Sequence, residues 1–163
     1  MKKHHCLAVV AAIVIAGPVQ GQAAAHLTAL EFLVGHCWVG MLRGGTLTDT
    51  HCFEWMHDKQ YVRDRHVVSS SPQYEGETTY AWDPESRQVV FRYLSNQGLF
   101  LNGRVEQRGD SLVLPSSYTD AKGQKIEVRT VWTRTADGYH AQGFVLVDDK
   151  WKPDLDVSYH RQN

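Results

Sequence analysis

Beyond residue 35 the chain alternates between apolar and polar positions. Tyr74, Thr78, Tyr80 and Trp82 share one face opposite Glu75 and Glu77; Ile126, Val128, Thr130 and Trp132 share one opposite Glu127, Arg129 and Thr133. Trp151, Leu155, Val157 and Tyr159 repeat the pattern opposite Lys152, Asp154, Asp156 and Ser158. A period of two is that of a strand with one wet side. Turn signals separate these runs at a spacing of roughly 8–12 residues: Gly44-Gly45, Asp58-Lys59, Ser71-Pro72, Asp83-Pro84, Asn96-Gln97-Gly98, Gly109-Asp110, Lys122-Gly123, Asp137-Gly138 and Asp148-Asp149. Nine turns predict ten strands. Connections this short leave no room for crossover helices, so the strands are antiparallel and must close into a barrel or stack as a sandwich. The unbroken meander favours an up-and-down barrel. Ahead of it, Leu27, Leu30, Leu33 and Val34 fall at helical spacing, with Thr28 as candidate N-cap, and predict one short helix ending at Gly35. The predicted class is all-β, an antiparallel barrel of ten strands with a short N-terminal helix.

Residues 1–25 follow another logic. Lys2 and Lys3 (with His4 and His5) give a charged start, residues 6–17 are apolar, Pro18 breaks the run, and Ala23-Ala24-Ala25 supplies small residues. This is the pattern of a secretory signal peptide, too short for the ~20 apolar residues that span a bilayer. Cleavage is expected between Gly21 and Ala25, leaving a single domain, 26–163, in the periplasm or outside the cell. No second apolar run of spanning length follows, so no membrane span is expected and the mature chain is expected to be soluble. With 17 Lys+Arg against 18 Asp+Glu the formal charge is −1, and it falls to −3 once Lys2 and Lys3 leave. That balance argues against a nucleic-acid partner, which calls for a basic surplus on one face. Oligomeric state is not readable from the chain.

Export changes the meaning of the cysteines. Cys6 leaves with the leader, and Cys37 and Cys52 remain. Two cysteines in an oxidising compartment point to a disulfide. If Gly44-Gly45 is a two-residue hairpin turn, facing positions have numbers that sum to 89, and Cys37 and Cys52 satisfy this. Counting outward from that turn makes them a hydrogen-bonded pair, which leaves room for a shifted register or a bulge.

The stretch Leu30-Glu31-Phe32-Leu33-Val34-Gly35-His36-Cys37-Trp38-Val39-Gly40 resembles the opening of lipocalin-like (calycin) barrels, especially small secreted bacterial ones of unknown function. Arg63-Asp64-Arg65-His66, Gly76-Glu77-Thr78, Tyr80-Ala81-Trp82-Asp83 and the closing Trp151 strand extend the likeness over nearly all of the mature chain. The resemblance implies a barrel plugged at one end by Trp38, and relatives of this shape hold fatty acids, retinoids, pigments or haem. Haem-binding barrels open Gly-x-Trp-x-Gly, whereas here two residues separate Gly35 from Trp38. Their haem histidine lies late in the chain, where this sequence offers His140 and His160. The alternation puts His160 outside and leaves His140 ambiguous, so no cofactor is expected and haem is kept as an alternative.

The densest polar cluster is Arg63-Asp64-Arg65-His66. Alternation puts Arg63 and Arg65 on one face and Asp64 and His66 on the other. An inward arginine pair would hold an acidic head group by bidentate hydrogen bonds; an inward Asp64/His66 pair would suit acid–base work. Seven histidines follow the leader, at 26, 36, 51, 57, 66, 140 and 160. None shows the i, i+4 helical spacing or the short Cys/His knuckle of zinc sites, so no metal is expected. His51 and His66 would be neighbours if their strands pair, but spacing alone leaves the alignment loose. No Gly-x-Ser-x-Gly elbow and no phosphate-cradling loop occurs. The aromatic face, Tyr74, Tyr80, Trp82, Trp132, Trp151 and Tyr159, either fills a core or lines a pocket for an amphipathic ligand.

The expectation is an exported barrel holding a small apolar or amphipathic ligand, with Tyr80, Trp82 and Trp132 as lining and Arg63 or Arg65 as anchor. The alternatives are a barrel-mouth enzyme using Asp64 and His66, and a filled barrel with a protein partner.

Overall fold

The computed structural model describes residues 22–162. The expected leader therefore lies outside the described residues, apart from 22–25. Ten strands follow one another as the turn signals predict: β1 (His36–Leu42), β2 (Leu47–Met56), β3 (Tyr61–Val68), β4 (Tyr74–Asp83), β5 (Gln88–Ser95), β6 (Phe100–Arg108), β7 (Ser111–Thr119), β8 (Lys125–Arg134), β9 (Gly138–Val147) and β10 (Lys150–Arg161). Each pairs antiparallel with the next, and β10 returns to β1 to close the barrel.

The N-terminal segment corks one end. Helix α1 (Gln22–His26) leads into a 3₁₀ turn over Thr28–Leu33. Thr28 is not the cap: Leu27 holds that position with no side-chain hydrogen bond, and the Thr28 hydroxyl donates to the Ala25 carbonyl at 3.2 Å. Leu27, Leu30 and Leu33 are all but fully buried, each worth about 1.5–3 kcal/mol against exposure. Trp38 packs beneath them and donates its indole N–H to the Leu33 carbonyl at 3.0 Å. Gly35 turns the chain into β1 at φ +84°, a conformation side chains resist.

Cys37 and Cys52 are registered partners and form a disulfide, with Cα atoms 4.0 Å apart. The connection is four residues long, 43–46, instead of two. It preserves the sum of 89 but exchanges the two kinds of pair, so the cysteines occupy the close one.

The aromatic face divides. Tyr80, Trp132 and Tyr159 are buried with Phe53 and Tyr139 in the core, and the Tyr80 and Trp132 rings meet at 6.5 Å. Trp82, half-buried at the corked end, stacks on His26 at 3.6 Å. Trp151 leaves the row: a bulge between Pro153 and Leu155 adds one residue to β10, and the strand before it is out of phase. Trp151 therefore stands outside, with the Arg129 guanidinium over its ring at 4.6 Å. The closing seam is short. β1 and β10 are registered only through Trp38–Arg161 and Val39–His160, extended by the Gln162 N–H to the Cys37 carbonyl at 2.8 Å.

Candidate functional site

The strands β2 and β3 each carry the same three-residue pattern, Asp49-Thr50-His51 and Asp64-Arg65-His66. In a strand, positions two apart point the same way. Asp64 shares the inward face with the fully buried Val62, and Asp49 and His51 share it with Phe53. The β2–β3 register sets His51 opposite His66 and Phe53 opposite Asp64, so both patterns enter the barrel interior side by side.

There they interlock crosswise. Asp64 Oδ2 lies 2.7 Å from His51 Nδ1, and His66 Nε2 lies 2.6 Å from Asp49 Oδ1. His51 Nε2 also faces Asp49, at 3.7 Å from Oδ2. The two imidazoles stack at 4.2 Å, 10° from parallel. Tyrosines complete the surround. Tyr159 donates to Asp49 Oδ2 at 2.5 Å, His66 Nδ1 meets the Tyr93 hydroxyl at 3.2 Å, and that hydroxyl donates to Tyr74 at 2.6 Å. Two glycines make room for these rings. A Cβ on Gly40 would lie 2.9 Å from the Tyr159 ring, and one on Gly76 would lie 2.2 Å from the Tyr93 hydroxyl.

Burial and charge set the protonation states. Asp49 and Asp64 are 3% and 1% exposed, and burial by itself would push carboxyls up and imidazoles down. The neighbouring His51 and His66 overcome this at Asp49, whose carboxyl is held well below the usual range. Burial likewise opposes the His51 cation, but the charges of Asp64 and Asp49 raise it to about 10. His51 is thus an imidazolium at neutral pH, held between Asp64 and Asp49. Burial, followed by Asp49, pushes the Tyr159 hydroxyl up, and burial with the Tyr74 contact does the same at Tyr93. Both remain donors.

The cluster is nevertheless incomplete. Asp49 Oδ1 and His66 Nε2 are close without the alignment of a hydrogen bond. Both are buried polar atoms with no hydrogen-bond partner among the described residues, as are Asp64 Oδ1 and the Tyr139 hydroxyl. Buried groups of this kind are rare in folded proteins.

The expected site residues are distributed differently. Arg63 and Arg65 face outward, where Glu54 pairs with Arg63 and lies 3.8 Å from Arg65 Nε. They are surface charges, because β3 gives its inward positions to Asp64 and His66. Those two do enter the interior, but not as a pair: Asp64 holds His51, and His66 faces Asp49. Tyr80 and Trp132 are packed core, and Trp82 lies under His26. His140 and His160 both face outward, on Asp156 at 2.8 Å and Asp137 at 3.0 Å. Sequence reasoning singles out neither Asp49 nor Tyr93, notes His51 only as a potential neighbour of His66, and includes Tyr159 only in the aromatic face. The signal was there in the doubled Asp-x-His on two strands joined by a short turn.

A surface cleft of about 620 Å³ lies at the corked end beside Phe32 and Arg134, away from this cluster. No known protein-family model and no curated protein matches the chain. Its closed antiparallel barrel is compatible with a lipocalin-like fold, and no helix among the described residues is long and apolar enough to cross a membrane.

Proposed function

We propose that the protein is an exported, lipocalin-like binding barrel that admits a small amphipathic ligand at the end away from the cork. Its polar end is held by the Asp49–His51–Asp64–His66 cluster. One observation carries this reading: four buried side-chain atoms inside the barrel make no aligned hydrogen bond among the described residues, Asp64 Oδ1 and the Tyr139 hydroxyl with nothing opposite them and Asp49 Oδ1 and His66 Nε2 with only each other, unaligned at 2.6 Å. Each such group costs about 1–3 kcal/mol unless something else satisfies it. A bound molecule supplying donors to the two carboxylates and an acceptor to Tyr139 offsets that cost. The arrangement selects a head group with donors or positive charge, the reverse of the acidic head group that an inward arginine pair would take.

The interior grades in the right sense for this. Toward the cork the inward side chains are closed core, whereas Val128, Thr130 and Leu155, farther along on the same face, are half-buried. The disulfide supports export, since such bonds persist in oxidising compartments.

Native mass spectrometry of the protein taken from its own host, followed by denaturing extraction, tests the reading. The expected result is a mass increment that is released on unfolding. A protein that is empty as isolated, and stays empty after incubation with a panel of amphipathic amines, fatty acids and haem, overturns it in favour of a filled barrel.

A further inference from the structure

We infer that Asp49, His51 and His66 form a binding site for one divalent transition-metal cation of the zinc class, inside the barrel and reached from solvent. The three residues each offer one ligand atom, and these atoms lie within 4.8 Å of one another. Two imidazoles and a carboxylate are a donor set suited to Zn²⁺ and its neighbours, with the ion displacing the Nε2 proton of the His51 imidazolium to solvent as it binds. Ligand atoms about 2.0–2.2 Å from such an ion are roughly 3.3 Å from each other. Asp49 Oδ1 and His66 Nε2, 2.6 Å apart, have to part slightly, while the wider gaps in the set, up to 4.8 Å, close by about 1.5 Å.

The surroundings of the ligands point the same way. A metal-bound histidine typically has its second ring nitrogen fixed by a carboxylate, a carbonyl or another hydrogen-bonding group. Here His51 has Nδ1 on Asp64 at 2.7 Å, and His66 has Nδ1 on the Tyr93 hydroxyl at 3.2 Å. Both rings are thereby turned so that Nε2 faces Asp49. Asp49 is anchored in turn by Tyr159 through Oδ2, which leaves Oδ1 toward His66. Oδ1 and His66 Nε2 lie 2.6 Å apart but unaligned, and neither has a hydrogen-bond partner among the described residues. Each imidazole keeps 15% of its side-chain surface accessible, while Asp49 Oδ1 and His66 Nε2 are themselves buried, so an ion reaches them through local movement of the rings.

Three protein ligands leave at least one coordination position open. The inference deepens the binding reading and rests on it in one respect: the open position would take a lone pair from the ligand's polar end, such as the nitrogen of an amine bound as its free base. The competing account is a buried ion-pair network that only ties β2 to β3 and β10.

The test is calorimetric titration of chelator-treated protein with ZnCl₂, alongside visible absorption with CoCl₂. One saturable equivalent of Zn²⁺ is expected, with d–d bands of protein-bound Co²⁺. His66→Ala and His51→Ala should abolish saturable binding, and Asp64→Asn should weaken it about 10–100-fold by freeing the His51 ring. His140→Ala and His160→Ala, on the outer face, should change nothing. Absence of both saturable Zn²⁺ binding and Co²⁺ bands in the unsubstituted protein overturns the inference, whatever the variants do. So does binding that survives His51→Ala and His66→Ala together. The extraction of an organic ligand uses no added metal, so either reading can fail alone.

Discussion

His51 and His66 are direct partners across the β2–β3 ladder and stack ring on ring at 4.2 Å. Two cationic imidazoles would repel in that position. The arrangement holds because each ring is matched to a carboxylate of the other strand, His51 to Asp64 and His66 to Asp49.

The His51 cation makes alkaline stability a readout. Its pKa is raised from 6.5 to about 10, so its contribution is complete below about 6.5 and is lost as pH rises toward 10. Asp49, held low, contributes at neutral pH and is lost on acidification. In the presence of chelator, the melting temperature should fall between pH 7 and 10 more steeply for the unsubstituted protein than for His51→Gln. Parallel profiles would show that the imidazolium contributes nothing.

Adjacent residues of β3 should behave oppositely. Arg63→Ala removes a surface pair with Glu54 and should cost less than about 1 kcal/mol. Asp64→Ala strands a buried imidazolium, for which about 3–5 kcal/mol is expected. Urea denaturation of the two variants gives the ranking, and equal losses would contradict the assignment of faces.

The disulfide closes a 15-residue separation, worth about 3 kcal/mol on the chain-entropy account. Reduction should lower the melting temperature by about 6–12 °C. Alkylation without reductant should leave the mass unchanged, and two modified thiols would refute the bridge.

Two glycines test what can yield. At Gly76 an added methyl meets the far end of the Tyr93 side chain, which can swing away, so Gly76→Ala should cost about 1–3 kcal/mol. At Gly138 it would lie 1.8 Å from the Tyr159 backbone carbonyl, which is fixed in the ladder. Gly138→Ala should therefore be the more damaging in denaturant titrations, and the reverse order would mean that the β9–β10 edge relaxes easily.

What could be read from the chain was whatever depends on local pattern. Nine turn signals and period-two alternation yield all ten strands, and the Cys37–Cys52 register follows from a turn centred on Gly44-Gly45, even though the loop proves longer. Trp151 was misplaced because one extra residue at a bulge reverses every side chain before it. The site needed more. Asp49 and Tyr159 are 110 residues apart, and only closure of β10 onto β1 brings them together. Helical and knuckle spacings do not describe a barrel, where i, i+2 positions on paired strands set Asp49, His51 and His66 side by side. Arg63-Asp64-Arg65-His66 stands out as the densest polar cluster, but alternation alone does not say which half faces in.

The short seam between β1 and β10 makes the wall uneven in time as well as in shape. Near the cork the two strands are joined by backbone hydrogen bonds; beyond Val39, toward the rim, Tyr159 leaning across Gly40 onto Asp49 takes their place. A side-chain latch releases with far less disruption than a ladder, so local opening should start on this flank. Amide hydrogen exchange at Gly40–Leu42 should then run ahead of the rest of β1, and faster still in Tyr159→Phe. Breathing of the barrel would thereby expose the interior from the side, at the position of Asp49.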